Sequence, residues 1–166
     1  MIRPTTMASA IAQTPIAFIS GPLDVDTAYF NAHYLPRIQE AIKQGHRFII
    51  GPSRGVDTLA FGYLKRSRVS INRIRLYLNT SEETHLRGNF KKFEEAGGML
   101  VIVKGGHTER DAMMTAASHY DILRYRTEDE CRALYGEKYR ARVSGTEKNE
   151  IRRQSGVGLT RPIQDT

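Results

Sequence analysis

The chain has 166 residues, 40% of them hydrophobic and 26% charged, with a formal net charge of +7. That length suits one domain with a real core, the composition is that of an ordinary globular chain, and no apolar run approaches the roughly 18 residues that a membrane span needs. The single cysteine, Cys131, excludes an internal disulfide and a multi-cysteine metal site, so a reducing, cytoplasmic setting is expected.

Residues 1–14 contain Arg3 but no signal-peptide apolar stretch, and read as a leader outside the fold. Ile16 to Ser20 is an apolar run stopped by Gly21-Pro22, which predicts a buried first strand. Asp26 or Thr27 is placed to cap the next helix. Tyr29, Phe30, His33, Tyr34, Ile38 and Ile42 recur at helical spacing up to Gly45, a plausible stop. Pro36 lies within this pattern and predicts a kink or a new start. Arg47–Ile50 reads as the second strand and Val56–Leu64 as a helix whose end carries Lys65, Arg66 and Arg68. Ile74, Leu76 and Leu78 alternate with Arg75 and Tyr77 as a third strand. Leu86 to Ala96 predicts a helix, Met99–Val103 a fourth strand and Thr108–Ser118 a helix. Asp121–Tyr125 reads as a fifth strand and Glu128–Leu134 as a last helix.

Strands thus alternate with helices five times. This predicts a Rossmann-like α/β fold, a doubly wound parallel sheet of about five strands with helices on both faces. The domain is expected over 15–135. From Gly136 to Thr166 apolar residues are sparse and aperiodic, with seven Lys/Arg against four Asp/Glu. This stretch reads as a basic, flexible tail.

In such a sheet, ligands bind outside the carboxyl ends of the strands. Three glycine turns fall there: Ser20-Gly21-Pro22, Gly51-Pro52-Ser53-Arg54-Gly55 and Lys104-Gly105-Gly106. Glycine permits close backbone approach, and the following helix N-termini offer free N–H groups to a phosphate. Arg54 adds a fork of donors matched to phosphate oxygens. Gly51, Pro52, Ser53, Arg54 and Gly55 are therefore expected to hold a phosphate, with Ser20, Gly21, Pro22, Gly105 and Gly106 beside them. The bland reading of each glycine alone is a tight turn.

The stretch Gly51-Pro52-Ser53-Arg54-Gly55-Val56-Asp57 resembles the G-x-x-R-G-[IV]-D signature of the Smf/DprA–LOG superfamily, SLOG. The opening strand with Ser20-Gly21-Pro22 is similar in look to the first glycine turn of that group and of the nucleoside 2-deoxyribosyltransferases. The similarity spans residues 15 to about 125. It implies a Rossmann-like fold that binds nucleotides, nucleotide-derived signals or, in the DprA branch, single-stranded DNA. The P-G-G-x-G-T-x-x-E pattern of the LOG-type phosphoribohydrolases is absent. Lys104-Gly105-Gly106-His107-Thr108-Glu109 echoes only its glycines and threonine, so the resemblance does not carry that catalytic route over.

Asp57 is placed either to accept a ribose hydroxyl or to cap its helix. Glu109, Arg110 and Asp111 open the helix after strand four. One of the two carboxylates, Glu109 or Asp111, could meet a sugar, where it would stabilise the oxocarbenium character of N-glycosidic cleavage. Acidic residues also favour a helix's first turn for electrostatic reasons alone. Arg110 would contact the ligand. His107 could act as acid or base near neutral pH, or be merely solvated. His33, Tyr29 and Tyr34 are core or site residues, and Tyr63 and Tyr77 are candidates to stack a base. No metal-ligand spacing occurs among the five histidines.

Two functional classes follow. One is an enzyme, a hydrolase or transferase at the N-glycosidic bond of a nucleoside or nucleotide. The other is a non-catalytic module that senses a nucleotide signal or binds single-stranded nucleic acid. The surplus of positive charge favours anionic partners without choosing between nucleotides, nucleic acid and acidic lipids. No cofactor, metal or membrane partner is expected, and a homo-oligomer is left open.

Overall fold

The computed structural model describes residues 14–160. The predicted leader therefore lies almost wholly outside the described residues, as does the end of the tail. Strand β1 (Ile16–Ser20) is buried along its length. Helix α1 (Thr27–His33) starts at Asp26, whose side chain accepts the Tyr29 N–H. Helix α2 (Leu35–Lys43) is a separate element. Pro36 sits in its first turn, where a missing N–H leaves no helical bond unmade. Gly45, at φ 78, ends it in the left-handed region.

Strand β2 (Arg47–Ile50) leads to helix α3 (Val56–Arg66), and a short 3-10 turn precedes strand β3 (Ile74–Asn79). The helix predicted over Leu86–Ala96 is corrected. Helix α4 (Thr80–Leu86) starts directly at the end of β3. A 3-10 turn follows, then a short α5 (Lys91–Glu95). The cause is a capping box. The Asn79 side chain accepts the Glu82 N–H, and the Glu82 carboxylate accepts the Asn79 N–H, each at 2.9 Å. Strand β4 (Met99–Val103), helix α6 (His107–Ala116), strand β5 (Tyr120–Leu123) and helix α7 (Glu128–Tyr135) complete the expected order.

All strand pairs are parallel, in the order β4-β3-β2-β1-β5. Right-handed crossovers that walk one way from β1 to β4 put their helices on one face. There, Phe30, Tyr34, Ile38, Ala60, Leu64 and Phe93 bury Ala17, Ile19, Phe48, Ile50, Leu76 and Leu78. The return from β4 to β5 runs the other way and puts α6 on the opposite face, where Met114 packs on Ile16, Phe18, Ile49, Tyr77 and Val103. The chain is thus doubly wound, and its direction reverses at β1. No helix among the described residues is long and apolar enough to cross a membrane.

The tail departs from the flexible segment expected of it. Helix α8 (Gly145–Gln154) packs against α6 and β5, with Thr146 and Asn149 buried. Its anchor is Arg153. This side chain pairs with Asp121 at 2.9 Å and donates to the carbonyls of Thr115 and Ser118 and to the Ser118 hydroxyl. The interface is polar, so it leaves no apolar periodicity for a sequence reading to find. Arg153→Ala is expected to cost about 2 kcal/mol through these charge-assisted bonds. In a chain of this size that lowers Tm by roughly 4–8 °C, a change read by scanning calorimetry. An unchanged Tm would show that α8 adds no stability.

Candidate functional site

The β1–α1 and β2–α3 turns are joined at the carboxyl edge. The Val56 N–H donates to the Pro22 carbonyl at 3.2 Å. Gly55 lies at φ 78, and a Cβ there would stand 2.4 Å from the carbonyl oxygens of Pro22 and Leu23. Only glycine fits both constraints. The third turn is tied to the start of α4, where the Gly105 N–H donates to the Thr80 hydroxyl at 3.2 Å. Two of the three glycine turns are thus bonded to each other, and all three follow strands of the same parallel sheet, at its carboxyl edge. Ser20, at the end of β1, is buried there, and its hydroxyl has no hydrogen-bond partner among the described residues. Buried polar atoms are rarely left so.

Behind this edge lies a buried cluster of charge. Asp57, the second residue of α3, is 8% exposed, and its Oδ2 accepts the Ser53 N–H at 3.2 Å. It holds the turn from below, and Gly51 is where the chain crosses it. A Cβ on Gly51 would come within 2.9 Å of Asp57 Oδ2. Burial pushes the Asp57 carboxyl up to about 7, against the pull of nearby Arg110. Arg110 is 6% exposed. Its Nη1 donates to Glu82 Oε2 at 2.5 Å, and its Nε and Nη2 both donate to Asp111 Oδ1 at 3.1 Å. Desolvation works against the guanidinium charge, but Asp111, Glu82 and Asp57 outweigh it and raise its pKa.

The two candidate carboxylates divide. Glu109 folds back onto the start of its own helix, where it accepts the Gly106 N–H at 2.9 Å, and backbone N–H groups hold its pKa low. Asp111 turns inward to Arg110. His107 and Asp111 are four residues apart on α6, hence on one face of it. The His107 side chain is 72% exposed, with Nδ1 3.6 Å from Glu82 Oε2 and 3.5 Å from Asn79 Nδ2.

Arg54 stands apart from this cluster. Its side chain is 70% exposed and meets Asp24 at 3.2 Å. The Tyr135 hydroxyl and Arg54 hold the Asp24 carboxyl below its usual range. Tyr34 is a core residue. It is buried against the β1 turn, lies 2.8 Å from the Ser20 carbonyl and accepts the Arg124 N–H, and burial pushes its phenol up. Tyr29 lies beneath Arg124 and Arg126, with His33 edge-on to its ring. Tyr77 is buried under α6 rather than turned to a base.

Glu82 and Asn79 are the site residues the sequence reading missed. The signal was present as Asn79-Thr80-Ser81-Glu82, a capping-box spacing at a strand end. Two shallow surface hollows flank β5, beside His46 and Tyr120 and beside Glu150 and Arg153, away from the cluster. Among the described residues, no group of three His, Cys, Asp or Glu side chains is arranged for a metal ion. No family model, curated protein or solved structure matches the chain.

Proposed function

We propose that the chain binds a nucleotide or nucleotide-derived ligand along the carboxyl edge of the sheet and cleaves or transfers at its N-glycosidic bond. The observation that carries this reading is the cluster of Asp57, Glu82 and Asp111 around Arg110, behind glycine turns that end strands of one parallel sheet. Three carboxylates about one guanidinium in a desolvated place are a poor device for stability. A carboxyl as strongly perturbed as Asp57 is a mark of functional sites. The β2–α3 turn supplies backbone N–H groups at the start of α3, which suit a phosphate. Asp111 supplies a fixed carboxylate for a sugar cation.

The test is a thermal-shift panel of nucleosides and nucleotides, followed by chromatographic detection of free base. A ligand of the folded state raises stability by RT ln(1 + [L]/Kd). Stabilisation by phosphate-bearing members with release of base supports the proposal, and no shift from any member rejects it.

Arg54→Ala is expected to weaken phosphate-bearing ligands about tenfold. The loss lies near the low end for a charge-assisted bond because Arg54 must first leave Asp24. Calorimetric titration of the variant checks this. Nucleosides without phosphate should bind it as they bind the parent.

The non-catalytic reading, binding of single-stranded nucleic acid, is favoured by one observation. The stretch from Arg124 to Arg142 holds five arginines and three tyrosines, with Arg132 4.4 Å from the Tyr139 ring and Arg126 4.7 Å from the Tyr29 ring of α1. Salt-dependent binding of a labelled oligothymidylate, without release of base from nucleotides, would favour it over the enzyme.

A further inference from the structure

We propose that His107 is the acid that protonates the departing base, with Glu82 and Asn79 as the residues that position its ring. The inference rests on the N-glycosidic reading above and adds to it the group that lets the base leave. A purine or pyrimidine anion is a poor leaving group, so cleavage is helped by a proton delivered to a base nitrogen as the bond breaks.

The geometry around His107 fits that task. Asn79 Oδ1 is occupied by the Glu82 N–H, so the amide atom beside the ring is the donor Nδ2. It lies 3.5 Å from His107 Nδ1. Asn79 Nδ2 matches a neutral ring whose hydrogen is on Nε2, whereas the neutral ring left after Nε2 delivers a proton keeps its hydrogen on Nδ1, facing Glu82 Oε2. When the ring is protonated, Glu82 Oε2, 3.6 Å away, stands ready to accept from Nδ1. Glu82 is itself fixed. One oxygen caps the Asn79 N–H, and the other is held by Arg110. Both states of the ring are therefore anchored on the same side, and Nε2, on the far side of an exposed ring, remains available to a ligand. Asp111 lies one helical turn further along the same face of α6, about 5–6 Å away between Cβ atoms. An acid and an anionic carboxylate at that spacing suit the two ends of a glycosidic bond.

The bond from the sugar anomeric carbon to the base nitrogen breaks, and its electron pair stays on the base. His107 Nε2 delivers a proton to the base. Asp111 faces the sugar cation. Water, or the acceptor in a transfer, adds to the anomeric carbon, and its surplus proton returns to His107.

The test uses the full chain with nucleoside 5′-monophosphates and a matched ribosyl 5′-phosphate of p-nitrophenol, whose leaving group needs no proton. His107→Ala, at an exposed position, should keep the parent's Tm. It should lower base release about a hundredfold with KM little changed, and added imidazole should restore part of the rate. On the p-nitrophenyl substrate it should turn over at nearly the parent rate. Glu82→Gln should show the same split between substrates, whereas a merely structural role would depress both alike. If the parent releases base and His107→Ala keeps its rate, or loses it equally on both substrates, His107 is not the acid and the glycosidic reading stands. If the parent binds nucleotides and releases no base from any of them, the glycosidic reading falls and His107 with it.

Discussion

Asp111→Asn is expected to cut base release by about two to three orders of magnitude, while nucleotide affinity changes by less than about threefold. The rate loss follows from the charge. A fixed carboxylate beside a developing sugar cation stabilises the transition state, and removing one such group costs about two to three orders of magnitude. The preserved affinity follows from the proposed seat of the phosphate, the Gly51–Gly55 turn and Arg54, which does not include Asp111. The change is gentle on the fold. The amide oxygen still accepts from Arg110, which keeps Glu82 as its charged partner. Glu109→Gln serves as the contrast. Its carboxylate is engaged with the Gly106 N–H at the start of α6, a bond the glutamine amide oxygen can still accept, so this change should cost little stability and little rate. Steady-state kinetics with product analysis, beside calorimetric binding, separate the two. Parent-like turnover by Asp111→Asn, or a collapse of rate in Glu109→Gln, would end the assignment to Asp111.

The difference between these two carboxylates was out of reach of the sequence. Glu109 and Asp111 lie two apart at a helix start, so they were bound to diverge, but which one turns inward depends on Arg110. Arg110 in turn is placed by Glu82, twenty-eight residues earlier on another element. Local patterns carried what local physics decides. The apolar runs gave the strands, Asp26 or Thr27 the first cap, Pro36 a kink or a new start between α1 and α2, and the alternation of elements the doubly wound sheet. Glu82 was lost because the predicted helix began at Leu86. The stretch Thr80–Glu83 is polar and shows no apolar period, although its capping box carries the start. Helix α8 was lost for a related reason. Its contacts are Arg153 bonds and buried Thr146 and Asn149, and a polar interface has no periodic signature. The glycine turns were legible as turns. That two of them are bonded to each other, and the third to the start of α4, follows from long-range contacts, Val56 to Pro22 and Gly105 to Thr80.

Arg110→Met is expected to destabilise the fold by about 3–5 kcal/mol near pH 8, because it strands the buried carboxylates of Glu82 and Asp57, and the half-buried one of Asp111, without their cation. Methionine fills much of the same volume, so lost packing contributes little. The penalty should shrink as the pH falls, for a reason that lies in Asp57. Its carboxyl stands near 7 in the folded chain and at 3.8 as its ordinary value, so the folded state holds a proton that the unfolded state has released. For a carboxyl shifted this way, stability is fully present below the ordinary value and is lost as the pH rises through the folded one. In the parent, this group therefore lowers stability between about pH 4 and pH 7, by roughly 4 kcal/mol at most. Arg110 is what keeps the shift from growing. Without it, the folded carboxyl should titrate still higher, and the pH-dependent loss should extend past pH 7. Urea unfolding from pH 5 to pH 9 measures both slopes. Adding Asp57→Asn to Arg110→Met should remove the extra slope and recover part of the stability at pH 8. The asparagine side chain can still accept the Ser53 N–H but has no charge to bury. If Arg110→Met costs the same at pH 5 and pH 8, or if the double variant is no more stable than the single one at pH 8, then Asp57 is not the group that Arg110 holds in place.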